Sequence, residues 1–175
     1  WSLESHRTGT PLHQLLGAHR HEIPVGADFG VMDSIDDLLT AVGDAATRRF
    51  PRVKLKYRPG WDLPMLRAVR DRFPQLTLHI DCNSGYRLSD LDMFRAIDEL
   101  GLAMIEQPLA HDDVVDHAEL QRQISTPVCL DESVSSVRLK TLADGTPGIA
   151  ALDRLPEPVP DRLQKLTVQH AILTA

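Results

Sequence analysis

The chain has 175 residues, a formal net charge of −6, 42% hydrophobic residues and 25% charged residues. This length allows one domain with a substantial core, but a complete (β/α)8 barrel usually needs about 250 residues. The acidic balance, with no dense lysine and arginine stripe, argues against a nucleic-acid partner, and we expect neither a membrane span nor a signal peptide. Cys82 and Cys129 are the only cysteines and fall in or beside predicted buried strands, which is typical of reduced thiols in a cytoplasmic protein.

In chain order, residues 1–20 predict the end of a helix and then a short helical turn that Gly17 ends. Residues 21–140 alternate between short apolar segments and amphipathic helices of about a dozen residues. The predicted strands are 22–26, 52–56, 76–81, 102–106 and 127–131. The helices between them are predicted to begin at a Ser34–Asp37 capping box, at Asp62, at Ser89 with Asp92, and at Asp112.

Five successive strand–helix units predict a parallel α/β sheet with its helices outside, as in part of a TIM-type barrel. After about residue 140 the pattern changes, because glycines and prolines interrupt it. Residues 141–175 are therefore predicted to be a divergent, proline-rich tail, with one possible helix over 161–173.

Three of the predicted strands end in a carboxylate, and the strand before them ends in a lysine. Lys56, Asp81, Glu106 and Asp131 follow one another at intervals of 25 residues. Because the carboxyl ends of parallel strands meet at one edge, we expect the four side chains to lie side by side. Carboxylate oxygens suit a hard divalent cation such as Mg²⁺. A single acid here would be better explained as a helix cap, but three at equal intervals favour a metal site.

Lys54 and Lys56 lie on the same side of their strand because side chains alternate with a period of two. A lysine beside a cation and a second ammonium has its charged form disfavoured, so it can act as a base near neutral pH. The alternative is an amphipathic edge strand with two solvated lysines. Asn83 is either a contact to the substrate or to the metal ligands, or an ordinary turn residue.

These motifs resemble the enolase superfamily, and within it the branch of o-succinylbenzoate synthases and N-succinylamino acid racemases. The resemblance extends from about residue 1 to about residue 140 and rests on residues 52–62, 81–84, 104–109, 116–121 and 129–133. It implies that residues 21–140 form a partial enolase-type barrel and that residues 1–20 are the last helix of an N-terminal capping domain.

The resemblance also implies roles for the site residues. Asp81, Glu106 and Asp131 would bind Mg²⁺, or Mn²⁺ in its place. Lys56 would be the acid/base catalyst, and Lys54 would assist by its charge at the substrate carboxylate. The implied reaction removes the proton α to the carboxylate of a small molecule, with the metal stabilising the enediolate that forms. Full-length relatives are expected to be homo-oligomers.

The sequence also departs from the superfamily pattern. Members carry a second catalytic lysine on the sixth strand, whereas Lys140 and Lys165 lie at no credible strand end, and Cys82 and Gly85 stand where alanines are expected. Three hypotheses follow: a metal-dependent dehydratase or racemase, a non-catalytic remnant, or a half-barrel that another chain completes. We expect a fragment of such an enzyme, without racemase activity and with very weak dehydratase activity.

Overall fold

A computed structural model describes residues 1–18 and 22–134 of the protein. Two short helices come first, α1 (Ser2–Thr8) and α2 (Leu12–Leu15). The strands that follow are β1 (Ala27–Phe29), β2 (Val53–Lys56), β3 (Leu78–Asp81), β4 (Met104–Glu106) and β5 (Val128–Cys129). The helices between them are α3 (Ile35–Thr47), α4 (Leu63–Arg72), α5 (Leu91–Asp98), which a 3-10 turn at Leu88–Asp90 precedes, and α6 (Val114–Gln123). The predicted tail over 141–175, Lys140 and Lys165 lie outside the described residues.

The five strands form one sheet in the order β1-β2-β3-β4-β5, and every neighbouring pair is parallel. Each crossover connects neighbouring strands in the same direction and with the same hand, so all the connecting helices lie on one face of the sheet. On this face each helix packs against the next, in the order α3, α4, α5 and α6. A doubly wound sheet would instead reverse its strand order. The predicted parallel sheet of partial-barrel type is therefore confirmed.

The core lies between the sheet and the helices. On β2, Val53 and Leu55 are fully buried beneath the helices, while Lys54 and Lys56 point to the opposite face and are partly exposed. Helix α3 contributes its periodic apolar face, of which Leu38 is fully buried. The alternation of β2 thus separates an apolar packing face from a face that carries charge.

The first strand was predicted at 22–26, and this prediction is wrong. Ile23 and Val25 are exposed, and β1 begins at Ala27, whose backbone N–H donates to the Arg52 carbonyl at 3.0 Å. Pro24 has no N–H to donate to a sheet, so pairing starts only after it. Apolar composition alone therefore placed the strand five residues too early.

Of the predicted helix starts, the one at Ser34 is confirmed: its Oγ accepts from the Asp37 N–H at 3.1 Å. The start at Asp62 is also confirmed, because Asp62 is the N-cap residue of α4, but its carboxylate accepts from the Gly60 N–H and makes no capping bond to the helix. Ser89 lies inside the 3-10 turn, and α6 is capped by Asp113 rather than by Asp112. For Asp62 the preceding turn offers the competing hydrogen bond.

Side chains clamp the loops at the amino ends of the strands. The guanidinium of Arg70 donates to the carbonyls of Leu100 and Leu76, each at 2.8 Å. The carboxylate of Asp98 accepts from the Thr126 N–H at 2.6 Å. These bonds fix the loops that enter β3, β4 and β5, at the end of the sheet opposite to the charged cluster described next.

Candidate active site

The strand register brings most of the predicted site residues together. Lys56 is paired with Asp81 across β2 and β3, and Asp81 with Glu106 across β3 and β4. The 25-residue interval therefore corresponds to true neighbours on three strands. It fails at β5, where Glu106 is paired with Cys129 and Asp131 lies two residues beyond the strand. The prediction that β5 ends at Asp131 is wrong, and a side chain described below accounts for this.

A compact ion-pair cluster occupies these strand ends. The ammonium groups of Lys54 and Lys56 both lie 2.7 Å from Oδ2 of Asp81. Lys54 also donates to Oε1 of Glu106 at 3.0 Å. The Asp81 side chain is only 2% exposed and that of Glu106 11%, whereas Lys54 is 20% and Lys56 35% exposed. The carboxylates form the floor of the cluster, and Lys56 is its most accessible charge.

The burial and the opposed charges shift the pKa values in different directions. Burial lowers the pKa of Lys54, but its hydrogen bond to Asp81 and the charge of Glu106 outweigh this, so the pKa lies above its ordinary value. Burial and the charge of Asp81 raise the pKa of Glu106. The idea that crowding would disfavour the charged form therefore does not hold for Lys54, because two carboxylates surround its ammonium.

Asn83 connects the lysine to a residue that the sequence reasoning missed. Its Oδ1 accepts from Lys56 Nζ at 2.6 Å, and its Nδ2 donates to Oε1 of Glu132 at 3.0 Å. Its backbone has a φ of +43°, and its N–H donates to Oδ1 of Asp81 at 3.1 Å. The turn thus folds back on the cluster. The position of Glu132, directly after Asp131, was the one available signal.

Gln107 was also given no role from the sequence, yet it organises the loop after β5. It is fully buried, with a φ of +38°. Its Oε1 accepts from the N–H groups of Asp131 at 2.8 Å and Ser133 at 3.2 Å. Its Nε2 donates to the Ser133 hydroxyl at 2.7 Å and the Leu109 carbonyl at 3.2 Å, and it lies 3.5 Å from Nε2 of His117. The Asp131 N–H therefore donates to the Gln107 side chain rather than to a neighbouring strand. This accounts for the end of β5 before Asp131.

The face of the sheet that carries Lys54, Asp81 and Glu106 forms a charged wall, and His79 lies in it. His79 is aligned with Lys54 and lies two residues before Asp81. Its side chain is 2% exposed, and Nε2 has no hydrogen-bond partner. Burial, followed by the charges of Lys54 and Arg52, lowers the pKa of His79 to about 4. The imidazole is therefore neutral near pH 7.

The donor chemistry of the cluster suits a hard cation, although the cation's full ligand set is not assembled. Among residues 1–18 and 22–134, no three acidic, histidine or cysteine side chains are arranged around a common metal position. Asp81 and Glu106 converge on one ammonium, and the charges of Asp81 and Asp131 help to raise the pKa of Glu106. A divalent cation would relieve this excess of negative charge, and carboxylate oxygens are its preferred ligands.

Together, the sequential parallel sheet and the cluster of lysines and carboxylates at the carboxyl ends of its strands define a sector of a (β/α)8-type barrel. A family model described as "Enolase C-terminal domain-like" matches residues 37–143. The chain belongs to this family. In the part of the chain that the structure describes, no helix is long and apolar enough to cross a membrane.

Known proteins from the same superfamily resemble the chain closely. It is 48% identical over 136 residues to an o-succinylbenzoate synthase of Geobacillus kaustophilus, covering 78% of this chain and 36% of that protein. It is 49% identical over 127 residues to an N-succinylamino acid racemase of Thermus thermophilus, covering 73% and 34%. A crystal structure of an enolase superfamily member of unknown function from Enterococcus faecalis matches with a TM-score of 0.72 and 42% identity, covering 82% and 39%. The chain thus spans about a third of the length of these curated relatives.

Proposed function

We propose that this cluster binds Mg²⁺ or Mn²⁺ and takes part in removing the proton α to the carboxylate of a small molecule. The reaction would be the dehydration of an o-succinylbenzoate synthase or the racemisation of an N-succinylamino acid racemase. The observation that carries the proposal is the shared Oδ2 of Asp81, which two lysine ammonium groups approach at 2.7 Å beside Glu106. The relatives with 48% and 49% identity bear these two names.

Each residue of the cluster has a distinct role in this proposal. Asp81, Glu106 and Asp131 would hold the cation, which would supply positive charge for the substrate's carboxylate oxygens. Lys56 would take the α-proton, since its side chain is more exposed than those of Lys54, Asp81 and Glu106. Lys54 would remain a protonated ammonium, consistent with its raised pKa, and would attract the substrate carboxylate by its positive charge.

Asn83 would set the direction from which Lys56 approaches the substrate. Its Oδ1 accepts one of the three ammonium hydrogens, and Asp81 accepts another. Two fixed acceptors limit the rotation of a flexible side chain, and a positioned base is more effective than a mobile one.

The described strands supply one wall of a barrel, and this limits the expected activity. Both lysines of the cluster lie on β2, so both approach a substrate from the same side. Racemisation needs a second base on the opposite face of the α-carbon, whereas a syn dehydration can use one lysine first as base and then as acid. From this one-sided cluster we therefore expect no racemisation and very weak dehydration. We also propose that residues 1–20 correspond to part of a capping domain and residues 21–140 to part of the barrel.

A second candidate is a half-barrel that another chain completes. Among the described strands, β1 has a neighbour only on its β2 side, so its other edge has unpaired backbone groups. Such an edge readily accepts another strand. A non-catalytic remnant would share this edge, but it would not need the cation.

Calorimetry with Mg²⁺ and Mn²⁺ on the full chain tests the proposed cation site. We expect binding in the wild type and weaker binding after Asp81→Asn, Glu106→Gln or Asp131→Asn. The control is Asp92→Asn on α5, which removes an almost fully exposed carboxylate far from the cluster in the fold. Equal affinity in the triple variant and the wild type would refute the site.

Exchange in D₂O tests the chemistry. The chain is incubated with Mg²⁺ and an N-succinyl amino acid, and the α-proton is followed by NMR. We expect no exchange from the chain alone; slow exchange with retained configuration that Lys56→Ala abolishes would identify Lys56 as a working base. Racemisation at a rate usual for an enzyme would show that a second base exists, and the proposed one-sided site would be wrong.

A further inference from the structure

The imidazole of His79 has no assigned role, although it lies in the wall of the charged cluster. It is aligned with Lys54 on β2 and precedes Asp81 by two residues, so it shares their face of the sheet. This face carries the charged side chains, while the opposite face packs Leu78 and Ile80 against the helices. A histidine buried to this degree in a charged wall calls for a physical explanation.

Its surroundings identify a specific partner. Nε2 of His79 makes no hydrogen bond and lies 3.9 Å from Oε2 of Glu106. The other oxygen of Glu106, Oε1, accepts from Lys54 at 3.0 Å. The carboxylate therefore has one oxygen engaged by an ammonium and the other turned toward an unpartnered nitrogen. A small rotation of either side chain would bring Nε2 and Oε2 to hydrogen-bond distance.

We propose that His79 is a positioning residue whose Nε2–H donates to Oε2 of Glu106 and so fixes the orientation of a carboxylate that would help to hold the cation. The cation in this statement rests on the function proposed above, whereas the contact between His79 and Glu106 does not. An imidazole N–H that donates to a ligand carboxylate fixes the orientation of that carboxylate. Less conformational entropy is then lost when a cation binds.

A role in core filling alone explains the position less well. Leucine or methionine would fill a similar volume without leaving a buried nitrogen unpaired. Lys54 cannot hold Glu106 by itself, because its ammonium also serves Asp81. The second oxygen of Glu106 needs its own donor, and Nε2 of His79 is the nitrogen that faces it.

The test compares two substitutions of His79 in the full chain. His79→Gln keeps an N–H donor at this position, and His79→Leu removes it while keeping the volume. Mn²⁺ affinity is measured by electron paramagnetic resonance. We expect His79→Leu to bind Mn²⁺ about tenfold more weakly than the wild type, since hydrogen bonds to charged groups are of this strength, and His79→Gln to restore most of the loss. Equal weakening in both variants, or none in His79→Leu, would overturn the proposal.

A metal-free measurement separates this inference from the proposed function. Urea unfolding of His79→Leu, Glu106→Gln and the double variant forms a double-mutant cycle. Non-additive effects support the contact, and additive effects overturn it. If the wild type binds no Mn²⁺, the proposed cation site fails, and the cycle alone then decides whether His79 positions Glu106.

Discussion

Replacing Gln107 by leucine should damage both the stability of the fold and the cation site. The Gln107 amide accepts from the N–H groups of Asp131 and Ser133 and donates to the Ser133 hydroxyl and the Leu109 carbonyl. Leucine has nearly the same volume but offers none of these bonds. The loop that carries Asp131 would therefore lose the contacts that hold it beside β4.

The expected loss of stability follows from the groups left unpaired. Two buried N–H groups lose their acceptor, and each unsatisfied group costs about 1–3 kcal/mol. The loop can move part of the way toward water, so we expect the lower half of the summed range, about 2–4 kcal/mol. The backbone of Gln107 is left-handed, with a φ of +38°, which is strained for a residue other than glycine. Leucine keeps this strain but lacks the side-chain bonds that offset it, so the loss of stability is larger.

Gln121 offers a matched control at the other end of β5. Its amide donates to the carbonyls of Ile124 and Thr126 and accepts from the Val128 N–H at 2.8 Å. Gln121→Leu leaves one N–H group without its acceptor, so it should lower the free energy of unfolding by about 1–3 kcal/mol, measured by urea denaturation, and should leave Mn²⁺ affinity unchanged. Gln107→Leu should lower both.

Two results would contradict the role assigned to Gln107. If Gln107→Leu loses stability but keeps the wild-type Mn²⁺ affinity, as Gln121→Leu should, Gln107 does not position Asp131. If Gln107→Leu is as stable as the wild type, the buried amide bonds have been assigned too much weight.

Three further outcomes are expected from the contacts and pKa shifts. Lys54→Met leaves the buried Glu106 without its ammonium, while Asp81 keeps Lys56, and it should destabilise the chain by about 3 kcal/mol in urea unfolding; an unchanged midpoint would contradict the ion-pair description. Burial lowers the pKa of His117 below its usual 6.5, so the unfolded chain takes up the proton more readily and stability falls as the pH drops below 6.5. His117→Gln should lose less stability than the wild type between pH 7 and pH 5, and parallel curves would refute this. Backbone and hydroxyl donors from Ser125 and Thr126 outweigh burial and lower the pKa of Asp98 below its usual 3.8, so its contribution is present above that pH and is lost as the pH falls through the lowered value. Asp98→Asn should cost about 1–2 kcal/mol at pH 7 and less at pH 3, and an equal cost at both pH values would contradict the assignment.

The sequence predicted the sheet because the sheet depends on local pattern. Equal spacing and alternating apolar segments determine which strands are neighbours, and Lys56, Asp81 and Glu106 indeed lie in register. The same pattern failed for β1, where Ile23 and Val25 are apolar but exposed. Apolar composition does not show which backbone groups have a partner, and this decides where a strand begins.

The rest of the site depends on contacts between residues far apart in the chain. Asn83 and Gln107 adopt left-handed backbones without being glycine, and their side chains make hydrogen bonds to residues far away in the chain. The bond from the Asn83 amide to Glu132 and the bond from the Asp131 N–H to the Gln107 oxygen form only once β3, β4 and β5 are adjacent. Apart from the position of Glu132 directly after Asp131, a one-dimensional pattern contains no signal for such pairs, so Glu132 and Gln107 were missed.

The sequential strand order also has a consequence for how the chain folds during synthesis. Each described strand pairs with the strand one unit before or after it, so each pairing closes a loop of about one βα unit, as between Val53 and Leu78. Short closures of similar length keep the contact order low, and their entropy is lost in small, separate steps. A ribosome that has released β1 to β4 has already released every residue that bridges Lys54, Asp81 and Glu106. The charged wall can therefore assemble on the nascent chain before β5 emerges.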